Sequence, residues 1–192
     1  MENNLILIID GPSGVGKDTI INTLLEKYPK KFGHPINATT RPMRENESQG
    51  NPYIFIDEEE FFRLRSTGEI FEHTIRHGTY RGMRKSSFDS IMLDGKIPVR
   101  DCDRFGLDAL KKIYGNKVIS IFLTCDKEII RDRLISRNEP EDSMNARLDD
   151  YDTYIKDAKF FDYKVENINI DDTIKQIMKI IKEHTDTKKS TN

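Results

Sequence analysis

The chain predicts an α/β fold, a three-layer sandwich with a parallel core sheet between helical layers. Three observations carry this. Short apolar runs alternate with helix-period segments along most of the 192 residues. The first apolar run leads into a glycine-rich turn and then at once into a helix-like stretch. One region, roughly Ala38 to Leu93, breaks the alternation and reads as an insertion.

Taken in order, Leu5–Ile9 reads as a strand and Thr19–Tyr28 as the helix after the turn. Within the insertion, Tyr53–Ile56 and Phe71–Ile75 read as short strands around a helix over Glu58–Thr67. The acidic run Asp57-Glu58-Glu59-Glu60 suits a helix N-terminus, where the macrodipole favours negative charge. Ile97–Cys102 returns to the sheet, irregularly, since Pro98 removes a ladder donor and Arg100 is charged. Phe105–Tyr114, Lys127–Ser136, Met144–Ala158 and Thr173–His184 read as helices, with strands at Val118–Leu123 and Tyr163–Glu166 between them. Phe61-Phe62 reads as core of the insertion, and Tyr151, Tyr154 and Ile155 read as packing at helical spacing. The polar tail from Glu183 is expected to fray at its end.

Composition narrows the classes. With 36% hydrophobic and 33% charged residues, this is one domain or a core with small inserted lobes. A net charge of −2 implies no bulk attraction to nucleic acid, so no nucleic-acid partner is expected. Nothing in the sequence is long enough to cross a bilayer or resembles a secretory signal, so a cytoplasmic protein without a membrane partner is expected. Cys102 and Cys125 lack metal spacing and read as buried free thiols. The four histidines likewise show no metal spacing.

The chemistry concentrates at Gly11-Pro12-Ser13-Gly14-Val15-Gly16-Lys17-Asp18-Thr19. A strand, a glycine-rich loop and a helix in that order make a phosphate-binding P-loop. Glycines let backbone N–H groups converge on a polyphosphate, the helix N-terminus adds positive potential, and Lys17 reaches the terminal phosphates. Asp18 stands where the motif has a hydroxyl residue, with Thr19 behind it. A carboxylate is a hard-oxygen ligand suited to Mg²⁺, at the expense of negative charge beside the phosphates. A second constellation starts at Thr39: Arg41 and Arg44 three apart, then Tyr53 beyond a glycine turn. Two guanidinium forks and a phenol suit a dianionic phosphate; a solvated basic loop is the plain alternative.

With Gly-Pro-Ser-Gly-Val-Gly-Lys and the segment Thr39 to Phe55, the chain resembles the guanylate kinase family from Ile6 to about Ile180. The resemblance implies a core (1–37, 94–132 and 160–192), a monophosphate-binding lobe (38–93) and a helical lid (133–159). It implies transfer of the γ-phosphate of ATP to GMP or dGMP with Mg²⁺, in purine nucleotide metabolism, by a monomer or homodimer. ATP would lie on Gly11, Ser13, Gly14, Val15, Gly16, Lys17, Asp18 and Thr19, with Asn167 near the adenine. Arg41, Arg44 and Tyr53 fall on acceptor-phosphate positions, joined by Arg81. Glu72 and Asp103 fall on the acids that read the guanine, with Asn37 near the base. Asp101, with Asp18, would face the metal. Lys17, Arg133, Arg137 and Arg147 would gather charge around the transferring phosphoryl, Arg133 and Arg137, four apart, sharing one helix face. A solvated face is the plain alternative for those arginines.

Four positions depart from the family pattern. Asp18 replaces the loop hydroxyl, Asn37 a serine, Met83 a second hydroxyl donor to guanine O6, and Arg81 a tyrosine. In addition, Arg104-Phe105-Gly106 stands where the family has a residue, Gln and Gly. Phosphate capture is expected intact and guanine selection relaxed or shifted. Two other readings stay open at this point. A ribose 1,5-bisphosphate kinase would share the Gly-Lys-Asp loop but need no base-reading acids. A non-catalytic guanylate-kinase-like module would bind phosphopeptides in the monophosphate lobe and need no Lys17.

Overall fold

The computed structural model describes residues 5–189. Chain order is β1 (Ile6–Asp10), α1 (Lys17–Lys27), β2 (Phe32–Gly33), β3 (Ala38–Thr39), β4 (Ile54–Phe55), α2 (Glu58–Ser66), β5 (Ile70–Arg76), β6 (Thr79–Arg84), α3 (Lys85–Leu93) and β7 (Ile97–Asp101). It continues α4 (Arg104–Tyr114), β8 (Val118–Thr124), α5 (Lys127–Ser136), α6 (Glu141–Tyr154), β9 (Tyr163–Glu166) and α7 (Ile170–Lys189), with 3₁₀ turns at Gly115–Lys117 and Ile155–Phe160.

A parallel core sheet takes the order β2-β7-β1-β8-β9, and a second, four-stranded sheet the order β4-β3-β6-β5. The residues of β1 and β8 are all buried, which is why both read as unbroken apolar runs. The described chain divides into two compact units whose boundary cuts β1 after Ile6 and β7 after Val99. One unit holds Lys30–Val99; the other holds Leu7–Pro29 and the residues from Arg100 onward.

In the second unit, α4 packs on β8 and α7 on β9 and α1. Asp103 caps α4, its carboxylate accepting from Gly106 N at 2.9 Å. Asp162 ties the start of β9 to β8 by accepting from Ser120 N at 2.8 Å and Ser120 Oγ at 2.7 Å. The helix expected over Met144–Ala158 starts earlier, directly after Pro140 as its N-cap. Its α-helical part ends at Tyr154, where the chain tightens into the 3₁₀ turn. α7 is longer at both ends than expected, beginning after Asn169, whose side chain accepts from Asp171 N and Asp172 N. Residues 190–192, the end of the tail expected to fray, lie outside the described residues.

In the first unit, β7 pairs in parallel with β2 as Phe32↔Ile97 and Gly33↔Pro98, so β2 stops where the proline begins to interrupt the ladder. The four-stranded sheet packs one face on α2. Ala38, Phe61 and Ile70 are fully buried there, with Ile54, Ile56, Leu64 and Tyr80 around them. Phe61 is core as expected, whereas Phe62 is 40% exposed and rests on Tyr80. Asp57 caps α2 by accepting from Glu60 N at 2.7 Å. β5 and β6 form a hairpin on His77-Gly78, both at positive φ (51° and 72°), the requirement of a type I′ turn.

Cys125 is buried and Cys102 half-buried, less than expected because β7 ends just before it; both are free. Burial pushes both thiols up, which favours the unreactive protonated form.

Candidate active site

The glycine-rich loop between β1 and α1 takes its shape from backbone that a side chain would block. Gly11, at φ 150°, lies so close to β8 that a Cβ would sit 2.4 Å from the Leu123 carbonyl. Gly16, at φ 102°, is the left-handed N-cap of α1, and a Cβ there would strike the Asn167 amide. The loop is gripped from outside at one carbonyl. Val15 O accepts from Asn167 Nδ2 at 2.7 Å and from Arg133 Nη1 at 3.0 Å. Asn167 is 2% exposed, and its Oδ1 accepts from Thr173 Oγ1 at 2.9 Å. Arg133 also donates to the carbonyls of Asn167 and Ile168. Arg147 donates to Ser13 Oγ and pairs with Glu139 at 3.0 Å.

Of the three arginines expected at the phosphoryl group, two therefore lie against the loop. Arg137 falls beyond the helical run as the C-cap of α5 and is exposed, so it does not extend Arg133's helix face. Asn167, expected by the adenine, uses both ends of its amide inside the protein as a strut of the loop. Thr19 lies in the first turn of α1, its carbonyl accepting from Thr23 Oγ1. Asp18, in the same turn, is exposed.

Lys17 points back along the loop. Its Nζ donates to Gly11 O at 2.5 Å and Pro12 O at 3.3 Å, and lies 4.0 Å from Asp10 Oδ1. Asp10, the last residue of β1, is 3% exposed. Burial pushes its carboxyl up to about 7, reinforced by the charges of Asp103 and Asp101 and opposed by the Gly11 amide and Lys17. A cavity of about 160 Å³ opens beside Lys17, walled by Pro12, Ser13, Arg147, Tyr151 and Tyr154. Asp101 ends β7 and is half-buried.

The first unit holds a separate cluster. Alternation along β6 sends Tyr80 to the α2 core and leaves no room beyond Gly82, where a Cβ would meet Ile70 and Phe61. Arg81 and Met83 take the other face. Their register partners are Thr39 and Thr74 for Arg81 and Glu72 for Met83, so Glu72 and the 3%-exposed Met83 are cross-strand neighbours. The Arg81 guanidinium lies 5.3 Å and that of Arg41 5.7 Å from the Tyr53 ring centroid; Arg41 is also 5.4 Å from Phe55. Glu47 holds Arg41 by a two-point fork at 2.8 and 2.9 Å and also accepts from Arg44 N. Gln49 holds both backbone groups of Phe55. The Nε atoms of Arg41 and Arg81 are buried without a hydrogen-bond partner. Arg41, Tyr53, Glu72 and Arg81 thus share one sheet face, with Arg44 exposed on the adjoining loop and Asn37 immediately before β3.

Residues 3–184 match the guanylate kinase family. The guanylate kinase of Helicobacter pylori is 34% identical over 92% of this chain and 86% of its own length. That of Thermotoga maritima is 33% identical over the same shares. The chain belongs to the guanylate kinase family. It is accordingly a guanylate kinase-type phosphotransferase. A solved guanylate kinase from Anaplasma phagocytophilum superposes with a TM-score of 0.64 at 29% identity, covering 93% of this chain and 85% of that one. The SH3-kinase fragment of tight junction protein 3 gives 0.56 at 11% identity over 94% of this chain and 57% of that one, and shares the fold alone.

In this guanylate kinase-family chain several residues around the two clusters escaped the sequence reading. Asp10 was hidden at the joint between strand and loop. Tyr154 read as packing, and Thr173 as the start of a helix. Glu47 carried a signal, since a carboxylate among closely spaced arginines is a natural fork partner. Among the described residues no group of three or more His, Cys, Asp or Glu side chains could hold a metal ion, and no helix is long and apolar enough to cross a membrane.

Proposed function

We propose that this chain transfers the γ-phosphate of ATP to a nucleoside monophosphate, GMP or dGMP foremost, in the cytoplasm. The single observation that carries the acceptor half is the pairing of the Arg41 and Arg81 guanidinium groups at the Tyr53 ring, Arg41 oriented there by Glu47. Two guanidinium groups held together suit a phosphate dianion. Glu72, on the same face, accepts the N–H donors of a guanine edge. Residues 38–93 serve as the acceptor lobe and residues 133–159 as the lid.

The donor half rests on the loop. Lys17 turns from the Gly11 and Pro12 carbonyls to the β- and γ-phosphates, and Gly11 to Thr19 cradle the chain of phosphates. Arg133, Arg137 and Arg147 neutralise charge on the equatorial oxygens as transfer proceeds in line. Asp18 and Asp101 would offer Mg²⁺ hard carboxylate oxygens. When bound, the ion supplies neutralisation of the β,γ-phosphate charge.

Base choice is where this chain departs. Met83 is an apolar, buried neighbour of Glu72 and offers no donor to O6. Discrimination against a 6-amino purine is therefore weakened. A coupled ADP-release assay over GMP, dGMP, IMP and AMP tests this, with ribose 1,5-bisphosphate as the control acceptor. GMP and dGMP should be used best, AMP measurably, and Met83→Thr should raise the GMP-over-AMP ratio in kcat/KM by roughly 10-fold. No transfer to any monophosphate would reject the kinase reading. Exclusive use of GMP by the unaltered chain would reject the relaxed pocket while leaving the kinase intact.

A further inference from the structure

The ammonium of Lys17 is surrounded by more than loop backbone. Asp10 Oδ1 is 4.0 Å away, and the ring centroid of Tyr154 is 6.0 Å away. The Tyr154 hydroxyl donates to the other carboxylate oxygen, Asp10 Oδ2, at 3.4 Å. Burial pushes that hydroxyl upward, so it stays protonated and can only donate to a carboxylate. The tyrosine is itself braced. It ends α6, its ring stacks on Phe122 of β8 at 6.4 Å, and one helical turn earlier Tyr151 donates to Cys125 O at 2.8 Å. A buried carboxylate facing a phosphate-loop lysine has an electrostatic consequence: it competes with phosphate for the same ammonium, and its charge opposes an incoming polyphosphate.

We infer that Asp10 and Tyr154 are positioning residues for Lys17: Asp10 is the internal counterion that the ammonium leaves when it engages nucleotide phosphates, and Tyr154 keeps that carboxyl from closing on the lysine. The inference rests on the reading of Lys17 as the phosphate-binding lysine. Both act on the nucleotide through Lys17. The charged groups facing Asp10 are Lys17, Asp101 and Asp103.

The test is a double-variant cycle read by calorimetry at pH 8.5, where Asp10 is ionised, with ATP and adenosine as the probes. Asp10→Asn keeps the shape and removes the charge. It should tighten ATP roughly 3- to 10-fold while adenosine, with no phosphate for Lys17, moves less than about 2-fold. Tyr154→Phe keeps the ring and frees the carboxylate to close on Lys17. It should weaken ATP by about 2- to 3-fold in the wild-type background and not at all in Asp10→Asn. A purely structural role predicts otherwise: ATP and adenosine would shift together, and the two substitutions would add. That pattern, or unchanged ATP affinity in Asp10→Asn, overturns the inference. If Asp10→Asn fails to fold, Tyr154→Phe alone decides by whether ATP weakens and adenosine does not. Failure of the unaltered protein to bind ATP would instead reject the reading of the loop itself.

Discussion

At the scale of single residues, Asp10 is the most consequential side chain that no motif marks. Its carboxyl moves from 3.8 to about 7 because burial penalises the charged form more than Lys17 and the Gly11 amide relieve it. The sign of the stability effect follows. The folded protein holds the Asp10 proton between about pH 4 and pH 7 where the unfolded chain has released it, so this group lowers stability as pH rises through that window. Its cost is fully present above about pH 7 and has a ceiling of about 4 kcal/mol. Asp10→Asn removes the penalty. Thermal melts of both proteins at pH 5 and pH 8 should show the variant gaining on the wild type by several degrees at the higher pH, given ~2–4 °C per kcal/mol for a chain of this size. A gain confined to pH 5 would show that the carboxylate is stabilised in place. Asp162 works in the opposite sense. Its burial is outweighed by the bonds from Lys111 and Ser120, so its carboxyl is lowered and its contribution is lost as pH falls. The variant comparison separates the two.

At the scale of elements, the phosphate loop is shaped by segments far from it in the chain. Val15 O meets Asn167, 152 residues later, and Arg133, 118 residues later. Asn167→Ala would unbond Thr173 Oγ1 from its amide and remove one of the two donors to Val15 O. The loss should be about 1–3 kcal/mol, seen as a melting point lower by a few degrees together with weaker ATP binding. A melting point and ATP affinity both equal to the wild type would mean that Arg133 alone fixes the loop. These distances also explain what the sequence could and could not disclose. The loop itself was legible because glycine spacing encodes backbone geometry locally, and β8 because a strand buried on both faces is apolar throughout. Two-residue strands such as β2 and β3 leave no period to detect. β6 escaped for another reason. Its sequence Thr-Tyr-Arg-Gly-Met-Arg puts Tyr80 and Gly82 toward the core and Arg81 and Met83 toward the candidate acceptor face, so alternation there separates core from site, and apolar residues fall on both faces. Asn167 and Tyr154 were legible as residues but not as struts, since a strut is defined by its long-range partner.

At the scale of the whole molecule, the two candidate half-sites are built from different units, and each is closed by its own residues. The Arg41–Glu47 fork, Gln49 on Phe55, and the Tyr53–Arg81 contact all lie within Lys30–Val99. Lys17, Asp10, Arg133, Arg147, Tyr154 and Asn167 all lie in the other unit, and so do the partners described for them. Independent construction predicts independent failure. Arg81→Gln removes one guanidinium from the acceptor cluster without touching the Glu47 fork, and should weaken GMP by roughly 10- to 100-fold, the ~1.5–3 kcal/mol of one charge-assisted contact. ATP affinity should stay within about 2-fold. Lys17→Met should do the reverse, weakening ATP by a similar factor and leaving GMP nearly unchanged, while both variants lose kcat/KM because transfer needs both halves. Calorimetric titration of each variant with each nucleotide gives four numbers. If Arg81→Gln weakened ATP as much as GMP, the division of labour would be wrong, and Arg81 would belong to the scaffold of the protein and not to an acceptor site.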